Sequence, residues 1–257
     1  LNAFNHLPDA MERTRPFKDM WYAWGDVDQR LYFDNWHIVQ GVVYPTNTID
    51  QRNGIWYSST QVLDPAFNVI VDDKKFAMDA TVAAKSAQSK GWNREFSDKK
   101  RVELAPGIEL YQGSWNTTII KQDDGVLVLE APISATYVKG ILAKVRSEYP
   151  GVPIKGVLST SDSWPHMAGV REVVAAGIPV YVLDLNKPLL DRLVSAPHRS
   201  KPDALQIDPK APHWVVVGDR LEVGHGPNRV ELYPLRGAST ERQYLLYFPE
   251  QKLLYAS

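Results

Sequence analysis

GVLSTSDSWPHMAGVREVVAAGIPVYV, residues 156–182, decides how this chain is read. Gly156–Thr160 ends an apolar run of strand length, Ser161–His166 is a polar turn, and His166–Gly177 spaces its apolar residues as a helix does. Gly177 closes that helix, and Ile178–Val182 begins another strand. Strands of this composition are buried on both faces. The layout is that of a metal-binding loop, yet the turn carries serines and a proline where metal chemistry uses histidines and an aspartate. Read as a plain strand-to-helix turn, the segment is self-consistent: Asp162 or Ser163 can accept from free helix N–H groups, and Pro165 suits a first helical turn.

Outward from this stretch, composition narrows the classes. At 257 residues the chain suffices for one large domain or two modest ones. A net charge of −1 gives no electrostatic ground for a nucleic-acid partner or an anionic membrane surface. No apolar run approaches the roughly 20 residues of a membrane-spanning helix. The opening LNAFNHLPDAMERTRPFKDM is too polar for a signal-peptide core. With no cysteine, disulfides, thiolate metal sites and a cysteine nucleophile are excluded together.

Residues 1–103 read as a β-rich domain. RLYFDNWHIVQGVVYPTNTID, GIWYSSTQVLD and FNVIVDD are strand-like, and PTNTIDQRNG is a turn ending in Asn53-Gly54, a strong hairpin signal. KKFAMDATVAAKSAQSKGWNREFSDKKRV is charged and irregular, a seam between domains. Of eight tryptophans, Trp21, Trp24, Trp36, Trp56 and Trp92 precede residue 100; at strand spacing they are expected to fill a sheet core rather than form a sugar platform. Residues 104–257 form the second domain. Val102–Pro132 gives three short strands with turns at Pro106-Gly107 and Asp123–Gly125. Tyr137, Val138, Ile141, Leu142 and Val145 mark a helix with Ser134 as its N-cap, and NKPLLDRLVSA a short helix with Pro188 in its first turn. HWVVVGD, RLEVG, RVELYPL, QYLLYFP and KLLYAS are strands. The order predicts helices flanking mixed sheets, an α/β (α+β) class.

This order, with the phrases IKGVLST and HMAGVREVVAAGIPVYV, resembles the metallo-β-lactamase fold, an αββα sandwich carrying one or two metal ions at a sheet edge. In that family the strand runs into an H-x-H-x-D-H loop. Ser161 and Ser163 match its two first histidines, Pro165 its aspartate, and His166 alone is kept. Downstream, RGASTERQYLLYFPEQKLLYAS resembles the family's G-x-H-T turn and following hairpin, with Ser239 at the histidine and Thr240 beside it. The sequence stops at Ser257, where the family's bridging aspartate comes next, so the resemblance implies a C-terminally incomplete sandwich. Residues 1–103 resemble, more loosely, a curved lipoprotein-carrier-like sheet that precedes this domain in some exported bacterial proteins, which implies a periplasmic or secreted protein.

The positions matching metal ligands are therefore Ser161, Ser163, Pro165, His166 and Ser239. A neutral hydroxyl is a poor Zn²⁺ ligand and proline offers neither donor nor acceptor. No metal or other cofactor is expected, and no metal-activated water. The expected function is a catalytically degenerate metallo-β-lactamase-fold protein with a binding or assembly role, its partner an unidentified small molecule or protein. The alternative is a metal-dependent hydrolase with zinc or another divalent ion in a remodelled site around Asp162 and His166. Metal-free hydrolysis with catalytic Ser161 or Ser163 activated by His166 is a further reading. Asp162, Trp164, Glu241 and Arg242 form a candidate ligand rim, Glu241 and Arg242 otherwise reading as an exposed ion pair. The glycines around His225 are assigned to backbone geometry.

Overall fold

A computed structural model describes residues 6–16, 23–88 and 94–256. Trp21, Trp92 and the terminal Ser257 lie outside the described residues. The chain divides into two compact units, residues 1–16 with 26–89 and residues 17–25 with 90–257. The expected boundary at 103/104 falls inside strand β5 (Arg101–Ala105), which pairs within the second unit.

In the first unit, β1 (Ala10–Pro16), β2 (Asp26–Val39), β3 (Val42–Arg52) and β4 (Ile55–Gln61) make one antiparallel sheet in chain order. Its two tight turns place Gln40-Gly41 and Asn53-Gly54 at positive φ, between 50° and 81°, the backbone that a two-residue hairpin demands. The stretch from Pro45 expected to turn is strand as far as Arg52, and only Asn53-Gly54 turns. Pro45 lies outside Asn47–Arg52, the part of β3 that pairs with β4, so its missing N–H falls where β3 has no outer neighbour. FNVIVDD is not a strand; Asp72 instead accepts from the Lys74 N–H and caps a short turn at Asp73–Phe76. The helix α1 (Ala80–Gln88) buries no residue. The tryptophan expectation fails at Trp56, which is 62% exposed on β4.

In the second unit the apolar stripe builds the helix layer. Tyr137, Val138, Ile141, Leu142 and Val145 are the buried residues of α2 (Ala135–Glu148), and Ser134 Oγ accepts from the Tyr137 N–H at 3.2 Å. β5 continues into β6 (Ile108–Tyr111), β7 (Thr117–Gln122) and β8 (Gly125–Leu129), four strands where three were expected. With β9 (Ile154–Ser159), β10 (Val180–Leu183) and β11 (Trp214–Val217) they form a seven-stranded sheet, β8 to β11 parallel and the rest antiparallel. The single helix expected over 166–177 is two, α3 (Trp164–Met167) and α4 (Val170–Ala175). They part at Gly169, where a Cβ would lie 2.2 Å from Val138 Cγ2, so close does α2 approach. α5 (Lys187–Ser195) and α6 (Ala204–Ile207) follow, then an antiparallel sheet of β12 (Leu221–Val223), β13 (Val230–Pro234), β14 (Tyr244–Phe248) and β15 (Leu253–Tyr255).

Two cores result. One lies between the helices and the seven-stranded sheet, around Val128, Ile141, Val157, Val173 and Leu193. The other lies between the two sheets, around Ile120, Leu127, Leu158, Leu232, Leu246 and Phe248. Alternation sorts the strands: in β14, Tyr244, Leu246 and Phe248 point inward. The order is helices, mixed sheet, antiparallel sheet, three layers of the expected αββα sandwich. No helix contributes to the second core among the described residues.

On β13, Glu231 meets Arg220 at 2.8 Å and Arg229 at 3.1 Å and accepts from the Tyr233 hydroxyl. The hydrogen bond from Arg220, then that from Tyr233, pull its carboxyl down to about 2. A depressed carboxyl contributes stability that is complete above its unfolded pKa of about 4.3 and is lost as pH falls toward 2. Glu231→Gln is expected to flatten that loss, read by denaturant unfolding at several pH values across this window; an unchanged acid profile would refute the assignment.

Candidate functional site

Glu130 directly follows β8 and Thr160 directly follows β9, so both stand at the carboxyl ends of adjacent parallel strands, where open α/β sheets place their ligands. Here the two sheets also join. Ser161 bridges Gln243 in antiparallel fashion, and the Tyr244 N–H donates to the Thr160 carbonyl at 3.0 Å. The chain then enters α3 through Ser163, whose side chain makes no capping bond; Ser161 Oγ instead accepts from the Ser163 N–H at 3.3 Å. Pro165 occupies the first turn, as its fixed φ favours, and is buried.

A cleft of about 600 Å³ opens at this seam, lined by Ser161, Asp162, Ser163 and His166 on one side and Ala238–Gln243 on the other. It gathers Ser161, Asp162, Ser163, His166, Ser239, Glu241 and Arg242 from the residues singled out in the sequence. Pro165 and Trp164 do not line it: Trp164 packs on Trp115 with ring centroids 6.4 Å apart. Arg242 turns toward Asp162, 3.9 Å away, and donates to the Leu185 carbonyl at 2.8 Å, rather than pairing with Glu241. That ion pair is half exposed on both sides, worth under about 1 kcal/mol.

Beneath the cleft lies a carboxylate that the sequence reading did not select. Glu130 is 1% exposed and holds φ +75°, a left-handed backbone that costs an ordinary residue about 1 kcal/mol. It accepts from the Thr160 hydroxyl and, at 3.4 Å, from the Thr160 N–H. Its Oε1 lies 3.2 Å from His166 Nδ1 without the alignment of a hydrogen bond, which leaves Nδ1 buried without a well-directed partner. Trp115 stands edge-on to the imidazole, centroids 5.7 Å apart. Burial, and next the Glu130 carboxylate, raise the Tyr255 phenol above its ordinary range. The one sequence signal for Glu130 is an acid abutting the apolar run of β8.

A metal ion, which the family resemblance implies, finds few donors here. The matching positions are Ser161, Ser163, Ser239 and a buried proline, and the surviving imidazole turns Nδ1 toward Glu130. Among the described residues no three His, Cys, Asp or Glu side chains converge as a metal site. The residues present do not fit zinc, which takes four nitrogen, sulfur or carboxylate ligands or three with a water.

Neither a protein-family model nor a curated protein matches the chain. Among solved structures it is similar to the metallo-β-lactamase TMB-1, at 19% identity and TM-score 0.46, over 61% of this chain and 68% of that one. It is similar to the metallo-β-lactamase DIM-1 at 16% and 0.47, over 62% and 69%, and to a metallo-β-lactamase from Pontibacter korlensis at 17% and 0.46, over 60% and 69%.

Proposed function

We propose that the second unit is a binding domain whose cleft takes a small polar ligand without a metal ion. The observation that carries this is the chemistry of the wall and floor. Ser161, Ser163, Ser239 and Thr240 contribute hydroxyls, Gln243 an amide, and Asp162, Glu241 and Arg242 charges of both signs. The only imidazole is engaged from below by a buried carboxylate. A site of this volume suits a small molecule, and convergent donors and acceptors suit one rich in hydrogen-bonding groups. Asp162, Glu241 and His166 do not converge as a metal shell among the described residues, and the remaining lining is hydroxyl and amide, so hydrolysis by a metal-activated water has no support in this donor set.

The test is thermal unfolding with Zn²⁺, and separately Mn²⁺, in large excess. A ligand at 100 times its Kd stabilises a fold by about 2.7 kcal/mol. No upward shift is expected with either ion. A saturable rise that Asp162→Asn or His166→Ala abolishes would instead establish a remodelled metal site and overturn this reading.

A further inference from the structure

In the first unit's sheet, Arg13 of β1, Gln29 of β2 and Arg52 of β3 stand in one row, Gln29 being the register partner of both arginines. Strand alternation puts Arg15 on the same face as Arg13, and Asp50 on the same face as Arg52. Gln29 is 6% exposed, and its neighbours fix the orientation of its amide. Nε2 donates to Asp50 at 2.9 Å, which turns Oε1 toward β1. There Oε1 accepts from Arg13 Nε at 2.8 Å and from Arg15 Nε at 3.4 Å. Two permanently charged guanidinium groups thus converge on one neutral oxygen. Among the described residues neither has a carboxylate at ion-pair distance. Asp50 is taken by Arg52, through Nε at 3.2 Å and Nη2 at 3.0 Å, and Glu12 on the other face pairs with Arg30 at 2.7 Å.

We propose that Arg13 and Arg15, held together by Gln29, bind a phosphate group. Each arginine spends only Nε on Gln29, so the Nη nitrogens of both remain to donate to a ligand. A phosphate group offers three acceptor oxygens and close to two negative charges, which matches two guanidinium groups side by side. A carboxylate offers two oxygens and one charge, enough for one of them. Arg13 is exposed and Arg15 half-buried, so a ligand can reach the pair from solvent. Charges on an edge strand also keep other strands from adding to it, but that purpose needs no shared acceptor beneath the two side chains. A neutral amide in place of a carboxylate under the two arginines is what leaves positive charge over for a ligand. Inorganic phosphate, a soluble phosphomonoester and a lipid headgroup all carry the group this site recognises.

Calorimetric titration of the full chain with inorganic phosphate, at an ionic strength held constant with sodium chloride, tests this. One phosphate per chain is expected, with a Kd of about 1 mM or tighter, and acetate is expected to bind about tenfold more weakly or worse. Gln29→Glu supplies the missing counter-charge from within the fold and is expected to weaken phosphate binding about tenfold or more. Arg13→Gln combined with Arg15→Gln, on an outer strand, does the same without adding a charge beside Asp50. Arg30→Gln, on the opposite face, leaves binding unchanged. Flotation with phosphatidylcholine vesicles containing phosphatidic acid separates the sources: co-flotation that Gln29→Glu abolishes assigns the site to a lipid headgroup, and no co-flotation assigns it to a soluble phosphate. Absence of saturable phosphate binding, binding that survives Gln29→Glu or the double arginine variant, or acetate bound as tightly as phosphate each overturns the proposal.

Discussion

Replacing Arg171 by alanine is expected to destabilise the second unit by about 3–5 kcal/mol, the cost of breaking a buried ion pair on one side only. Arg171 sits in α4 and is 4% exposed. Its guanidinium donates to Asp203 through Nε at 2.6 Å and Nη2 at 3.0 Å, and through Nη1 to the Leu193, Val194 and Ala196 carbonyls. Those carbonyls belong to the end of α5, where a helix runs short of N–H donors of its own and only Leu193 accepts from the following Ala196 N–H, at 3.4 Å. Burial alone would raise the Asp203 carboxyl, but hydrogen bonds from Arg171 outweigh it and the carboxyl lies below its usual range. Asp203 also accepts from the Gln206 N–H and so caps α6. One side chain therefore ties α4, α5 and α6 together. Urea unfolding reads the effect; Asp203→Ala should cost a similar amount and the double variant less than the sum. A loss near 1 kcal/mol or additive losses would show the cluster to be incidental.

Glu130→Ala is the second large effect, about 3 kcal/mol, because it removes a buried carboxylate that accepts from the Thr160 hydroxyl and N–H. The positive φ adds a finer test. Glycine accepts that backbone without strain, so Glu130→Gly should be more stable than Glu130→Ala by several tenths to about 1 kcal/mol, the reverse of the usual order. Glu130→Gln keeps the shape and an acceptor oxygen and should lose the least. If alanine and glycine variants unfold alike, the backbone strain at Glu130 is not stored in the fold.

The parts of this molecule legible in its sequence are those set by short-range pattern. The buried stripe of α2, the Ser134 cap and the Asn53-Gly54 turn each follow from neighbours within a few residues. Gly224 and Gly226 beside His225 are likewise backbone positions, both at positive φ, and Gln122 fills the space a Cβ at Gly224 would need. What escaped depends on residues far apart. Glu130 meets Thr160 and His166 across 30 and 36 positions, an encounter fixed only once β8 and β9 lie side by side in parallel. Arg171 looks like a solvent-facing residue of an amphipathic helix until α5 and α6 fold over it. Gly169 divides a continuous helical pattern because Val138 of another helix is in the way. The serines and proline of the loop were legible as poor ligands; that Ser161, not Ser163, receives the loop's N–H was not.

Trp56 shows the same limit from the other side. Alternating apolar residues specify a strand, but not whether a covering layer exists within the chain, and β4 has none among the described residues.

The central claim is that the cleft beneath Ser161, Ser163 and Ser239 holds no metal ion. Elemental analysis of the full chain, purified without chelator after growth with added zinc, manganese and iron, measures this directly. We expect each metal far below one equivalent per chain. One tightly held equivalent that survives dialysis and disappears in His166→Ala would contradict the account.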